Sequence, residues 1–90
     1  MIERLKVLTY ITYGNKLLVF RQPESPEAGI QVPGGSVEPD EKLDEAALRE
    51  ATEETGLANL RLSAFLGDVR LDQSDIGLEE IHHRHFYHIY

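Results

Sequence analysis

Three glutamates, Glu50, Glu53 and Glu54, fall at spacings of three and four residues just ahead of Gly56. On a helix those spacings bring side chains within about 5–6 Å of one another, where like charges cost a few tenths of a kcal/mol per pair. Gly56 is a natural helix stop, so the acids also crowd the negative end of the helix dipole, where Lys or Arg would be favoured. A hard divalent cation with oxygen ligands removes both penalties, and local rules tend to fail where a site requires it. The chemistry such a cluster offers is Mg²⁺ or Mn²⁺ binding, with Glu50, Glu53 and Glu54 as metal ligands. The alternative is an acidic, solvent-facing helix that tolerates its own repulsion.

The surrounding residues favour the metal. From Gly35 to Leu57 the chain reads GSVEPDEKLDEAALREATEETGL. It meets every fixed position of the pattern G-x5-E-x7-R-E-U-x-E-E-x-G-U, in which U is a bulky aliphatic residue: Gly35, Glu41, Arg49, Glu50, Glu53, Glu54 and Gly56. Leu57 fills the second U position; Ala51, at the first, is smaller than the pattern prefers, a departure that bears on packing rather than chemistry. This is the Nudix box, and with Val32-Pro33-Gly34 leading into it the chain resembles the Nudix hydrolases. The region around Gln73 carries neither the proline nor the tyrosine that marks two subfamilies, so no subfamily is assigned.

The resemblance implies an α/β fold, sharpened to an α/β/α sandwich with a mixed β-sheet. It also implies the Gly35 backbone carbonyl as a further metal ligand, with Glu41 and Arg49 supporting the site. The implied reaction is metal-dependent hydrolysis of a pyrophosphate bond in a nucleoside diphosphate linked to another moiety, by water attack at phosphorus. Phosphoanhydrides resist attack because their oxygens are negative, so a catalyst must neutralise charge and deliver water in line. A non-catalytic nucleotide-binding or regulatory module is the competing reading. The presence of every box glutamate favours the enzyme.

Residue types suggest individual roles. Glu53 is the catalytic candidate for accepting the proton of the attacking water. Arg49, also a catalytic candidate, reaches Glu53 at i+4 with a fork that would orient it. Gly34 and Gly35 are substrate-binding candidates, because paired glycines let backbone approach a ligand closely. Glu79 and Glu80 are substitutes for the base, although they also read as a solvated loop leading into a strand. Arg21 reads as a surface charge at a strand end. Among His82, His83, His85 and His88, strand alternation points His83 and His85 to one face and His82 and His88 to the other, and a structural or substrate-contact role is favoured over zinc.

Several elements must position these groups. Leu5 to Thr12 and Lys16 to Arg21 are apolar, β-branched or aromatic runs separated by Tyr13-Gly14-Asn15, and they predict a hairpin. Gln22 to Gly29, with Pro23 and Pro26, predicts a surface loop. Ile30 to Val32 is a short strand entering Pro33-Gly34-Gly35. A helix is expected from about Lys42 to Thr55, with Asp40 as its N-cap. Its apolar face, Leu43, Ala46, Ala47 and Ala51, continues into Glu50 and Glu54, which are therefore expected to be partly buried. Leu60 to Leu71 and Ile81 to Tyr90 supply two further strands.

Ninety residues allow one domain, 1–90, with a core near the lower limit for independent stability. Because the last segment stops inside a strand-like run, the domain is expected to be truncated at its C-terminus, lacking its last strand or strands and a C-terminal helix. A net charge of −7 argues against extended nucleic acid as a partner, whereas a small-molecule nucleoside diphosphate derivative can bind through metal. There is no cysteine, hence neither a disulfide nor thiolate chemistry. No apolar run reaches the roughly 18–20 residues of a membrane-spanning helix, and no export signal is evident at the N-terminus. The expectation is a cytoplasmic protein without a membrane partner, with a homodimer as the assembly to test.

Overall fold

A computed structural model describes residues 2–90. Strand β1, Ile2–Tyr13, is the spine of the fold. It turns through Gly14, at φ 62°, into the short β2, Lys16–Leu17, with Thr12 opposite Leu17 and Tyr13 opposite Lys16. The expected second arm of the hairpin is not continuous. It breaks after Leu17, and Phe20–Arg21 forms a separate β3 that pairs with β4, Ile30–Gln31, across the predicted loop.

Strand β5, Gly34–Ser36, returns antiparallel along β1, setting Gly35 opposite Val7 and Gly34 opposite Leu8. After helix α1, Leu43–Thr55, come β6, Leu62–Asp72, and β7, Glu80–Ile89. Strand β7 runs parallel to β1 from Ile2 to Ile11, and β6 closes antiparallel on β7. The result is a mixed sheet in the order β2-β1-β7-β6, with β5 also on β1, and one α-helix packed on one face among the described residues.

Alternation along β1 decides what that face buries. Val7, Thr9 and Ile11 point at the helix and are buried together with Tyr87 and Ile89 of β7. The helix offers Ala46, Ala47 and Ala51, all fully buried. Their small side chains let the helix axis approach the sheet, which gives the undersized Ala51 a packing role. Thr9 is satisfied by Pro33, whose carbonyl oxygen accepts from both its N–H at 2.8 Å and its hydroxyl at 2.9 Å. That bond ties the Pro33-Gly34-Gly35 turn to the spine.

Asp40 does not cap the helix. It sits at φ 65°, a conformation Asp tolerates better than most residues, and Lys42 takes the N-cap position. Glu45 reaches back to the N-cap instead and accepts the Lys42 N–H at 3.0 Å, while Glu41 braces the preceding loop by accepting the Glu38 N–H at 3.0 Å. At the other end Gly56 adopts the left-handed conformation, φ 71°, and its N–H bonds the Thr52 carbonyl. No helix among the described residues is long and apolar enough to cross a membrane.

Candidate active site

The pairing of β5 with β1 and the packing of α1 over both bring the last turns of the helix above Gly34 and Gly35. The contact is close. A Cβ added to Gly35 would fall inside the Glu50 carboxylate, and one added to Gly34 would lie 2.5 Å from the Val7 carbonyl oxygen. At Gly34 the obstruction is backbone, whereas at Gly35 it is the movable end of the Glu50 side chain. The Gly34 N–H donates to Glu54 Oε1 at 3.1 Å, so the glycine turn and the helix end are joined directly.

Arg49 organises the remaining acids. Its Nε donates to Glu41 Oε2 at 2.6 Å and its Nη2 to Glu41 Oε1 at 2.8 Å, a bidentate fork spanning two turns of chain. Nη2 also donates to the Ser36 carbonyl at 3.0 Å. Nη1 donates to Glu50 Oε1 at 2.8 Å and to Glu53 Oε2 at 3.3 Å. These five bonds use all five guanidinium donors. The expected i+4 contact with Glu53 is present, but it is the longest of the set; the fork itself is spent on Glu41.

The electrostatics follow from these contacts. The hydrogen bonds from Arg49 hold the Glu41 carboxyl down at about 2, and Glu41, followed by Glu50, raises the guanidinium above its ordinary value. Glu54 behaves in the opposite way. Lost hydration at its carboxylate raises it above the ordinary value, the Gly34 N–H works against that rise, and the charges of Glu50 and Glu53 add to it. Glu50 is mostly buried, with its side chain 14% exposed, whereas Glu53 and Glu54 stand at the surface. Partial burial therefore holds for Glu50, whereas Glu54 is exposed as a residue and loses hydration only at its carboxylate.

The donors gathered here are carboxylate oxygens with glycine backbone beside them. This all-oxygen chemistry suits a hard divalent ion. Glu54 supplies the observation that fits such an ion: its charge is opposed by lost water and two neighbouring carboxylates, and only one N–H compensates it.

A cleft of about 620 Å³ runs from Gly34, Gly35 and Glu54 across the sheet face opposite α1, past Leu8, Tyr10 and Phe20, to Lys6, His82 and Arg84. Nothing in the sequence marks Lys6, Tyr10 and Arg84 as site candidates. Alternation along β1 places Lys6, Leu8 and Tyr10 on one face, but only the parallel pairing of Lys6 with Arg84, across most of the chain, brings the two cations together. The substitutes for the base lie elsewhere. Glu80 is engaged by Arg4 at 3.1 Å and His82 at 3.0 Å, and Glu79 uses its backbone carbonyl to accept from Ile2.

A NUDIX domain model matches residues 3–90 of this chain. The chain is 39% identical over 69 residues to the Bacillus subtilis (strain 168) protein named "Putative 8-oxo-dGTP diphosphatase YtkD", a match covering 77% of this chain and 39% of that one. The solution structure of the E. coli ORF135 protein is similar at 26% identity and a TM-score of 0.73, over 99% of this chain and 61% of that protein. The crystal structure of the MutT protein from Methanosarcina mazei Go1 is similar at 25% identity and a TM-score of 0.77, over 97% of this chain and 62% of its own. The chain thus spans about two fifths of the curated relative and about three fifths of these two structures.

Proposed function

The chain belongs to the NUDIX domain family, and on that premise we propose that it is a metal-dependent pyrophosphohydrolase acting on a nucleoside diphosphate linked to another moiety. The observation that carries this reading is the junction of the helix end with the glycine turn: Glu54 on the Gly34 N–H, Glu50 against Gly35, and Arg49 bridging Glu50 and Glu53. Glu50, Glu53, Glu54 and the Gly35 carbonyl would hold Mg²⁺ or Mn²⁺. The ion would supply charge neutralisation at the phosphate oxygens and activation of water.

The chain's own residues do the rest. Glu53, the most exposed of the acids bonded to Arg49 except the distant Glu38, accepts the proton of the water that attacks phosphorus. As the new P–O bond forms, the anhydride P–O bond breaks and one phosphate leaves with its electron pair. Arg49 acts as a positioning residue: by gripping Glu41 and the Ser36 carbonyl, it fixes the direction from which Nη1 meets Glu50 and Glu53. Gly34 and Gly35 would meet phosphate through backbone alone, since their missing side chains are what let Glu50 and strand β1 close in on the turn. Along the cleft, Lys6 and Arg84 offer cationic donors, while Leu8, Tyr10 and Phe20 offer apolar surface for a base. The name of the Bacillus relative makes an oxidised purine nucleoside triphosphate, in which the linked moiety is the terminal phosphate, the first substrate to test. A cytoplasmic location and a homodimer complete the proposal.

The test is turnover of a panel of nucleoside diphosphate derivatives and nucleoside triphosphates with Mg²⁺ or Mn²⁺, by wild type, Glu53→Gln and Glu54→Gln. Hydrolysis by wild type that collapses in both variants is expected. Nucleotide binding without turnover of any substrate by wild type would favour a binding module.

A further inference from the structure

His83 and His85 form part of a second donor set, separate from the glutamates and from the cleft. Alternation along β7 puts both on the same helix-bearing face of the sheet as the buried Tyr87 and Ile89, with ring centroids 4.1 Å apart. The β6–β7 register puts Asp68 opposite His85, and Asp68 Oδ2 lies 2.6 Å from His83 Nε2. One ligand atom from each of Asp68, His83 and His85 lies within 4.8 Å of the other two. His85 is buried, His83 nearly so, and Asp68 opens to solvent.

The second ring nitrogens are also accounted for. His85 Nδ1 is 3.4 Å from the Lys6 carbonyl oxygen, and His83 Nδ1 is 3.4 Å from Glu3 Oε1, which Arg70 holds at 3.2 Å. A carbonyl or carboxylate facing Nδ1 is the arrangement that fixes the tautomer of a metal-binding histidine and leaves Nε2 to ligate. We propose that Asp68, His83 and His85 form a binding site for a divalent transition metal of the zinc class, with the two Nε2 atoms and the Asp68 carboxylate as ligands and the remaining position left to solvent.

Two imidazoles and one carboxylate suit such an ion better than Mg²⁺, whereas the glutamate cluster is all oxygen and suits the harder ion. The two sites cannot share one ion. Gly35, Val7, His85 and Asp68 stand in register on four neighbouring strands, and at about 4.7–4.9 Å per strand the first and last are separated by about 14 Å. The site therefore stands independently of the hydrolytic reading. An ion there would pin the edge strand β6 to β7. An ion would take the place of the single proton that His83 Nε2 and Asp68 Oδ2 share at 2.6 Å. The histidines alone do not point to zinc in sequence; Asp68, 15 residues upstream of His83, enters only through strand pairing.

The test is titration of the chain with Zn²⁺, followed by heat, and with Co²⁺, followed by visible ligand-field absorption, both in excess Mg²⁺. One equivalent should bind, with the intense bands of a four-coordinate site containing nitrogen ligands. Affinity should fall about 10–100-fold or more in His83→Gln and in Asp68→Asn, and stay unchanged in Glu53→Gln. Zn²⁺ at a hundredfold excess over Kd should raise the melting temperature by about 10 °C or more. Side-chain NMR of the wild type gives a readout that no variant can compromise: the His83 and His85 ring resonances should shift with Zn²⁺. Unchanged affinity in both His83→Gln and Asp68→Asn, or ring shifts confined to His82 and His88, would overturn the proposal.

Discussion

Arg49 grips Glu41 with two hydrogen bonds, 2.6 Å from Nε to Oε2 and 2.8 Å from Nη2 to Oε1, across eight residues of chain. That fork fixes the guanidinium plane and so determines where Nη1 meets Glu50 and Glu53. A lysine carries the charge but not the fork. Arg49→Lys is therefore expected to lower kcat about 10–100-fold, as is typical when a partner of metal ligands is altered, and to lower the melting temperature less than Arg49→Ala, because the charge facing Glu41 is kept. Steady-state kinetics beside a thermal melt checks this.

The same contact has a pH signature. Folding depresses Glu41 from 4.5 to about 2, so its contribution to stability is fully present above the unfolded value and is lost as pH falls through the folded one. Melting temperatures of wild type and Glu41→Gln should differ most above pH 4.5 and converge towards pH 2. A difference that stays constant with pH would dissociate Glu41 from Arg49.

Glu54 should show the reverse. Its folded value is raised above 4.5, so its ionisation opposes folding: the penalty is absent below the unfolded value and grows as pH rises through the folded one. In chelator at neutral pH, Glu54→Gln should melt about 2–4 °C above wild type, because a charge short of hydration and repelled by two neighbouring carboxylates is removed. Excess Mg²⁺ should erase or invert that advantage.

The two glycines should fail differently. An added methyl at Gly35 meets the Glu50 carboxylate, which can swing aside, whereas at Gly34 it meets the Val7 backbone carbonyl, which cannot move without breaking the β5–β1 pairing. Gly35→Ala should keep its fold and lose turnover. Gly34→Ala should lose about 1–3 kcal/mol of stability, as overpacking typically costs. Denaturant melts and activity measured on both variants separate the cases.

Much of the site was legible in sequence because it is local. Glu50, Glu53 and Glu54 are neighbours by helical spacing alone, and Gly56 marks where their helix ends. The features that escaped depend on distant pairing or on competition between caps. Asp40 resembles an N-cap, yet the helix starts two residues later at Lys42, whose N–H bonds Glu45, and Asp40 is left in a left-handed bend. The break at Leu18-Val19 was invisible because both residues are good strand formers; the strand divides where its partner changes from β1 to β4. Neither the cleft cations Lys6 and Arg84 nor the grouping of Asp68 with His83 and His85 could be read without the β1–β7 and β6–β7 registers.

A divalent ion is proposed to make the crowded acidic end of α1 tolerable. Titration of Mn²⁺ into wild type and a Glu50→Gln/Glu54→Gln variant, followed by electron paramagnetic resonance with Zn²⁺ present to fill the histidine site, addresses it most directly. Saturable binding by wild type that weakens about tenfold or more in the variant is the predicted result. Equal affinity in both proteins would contradict it.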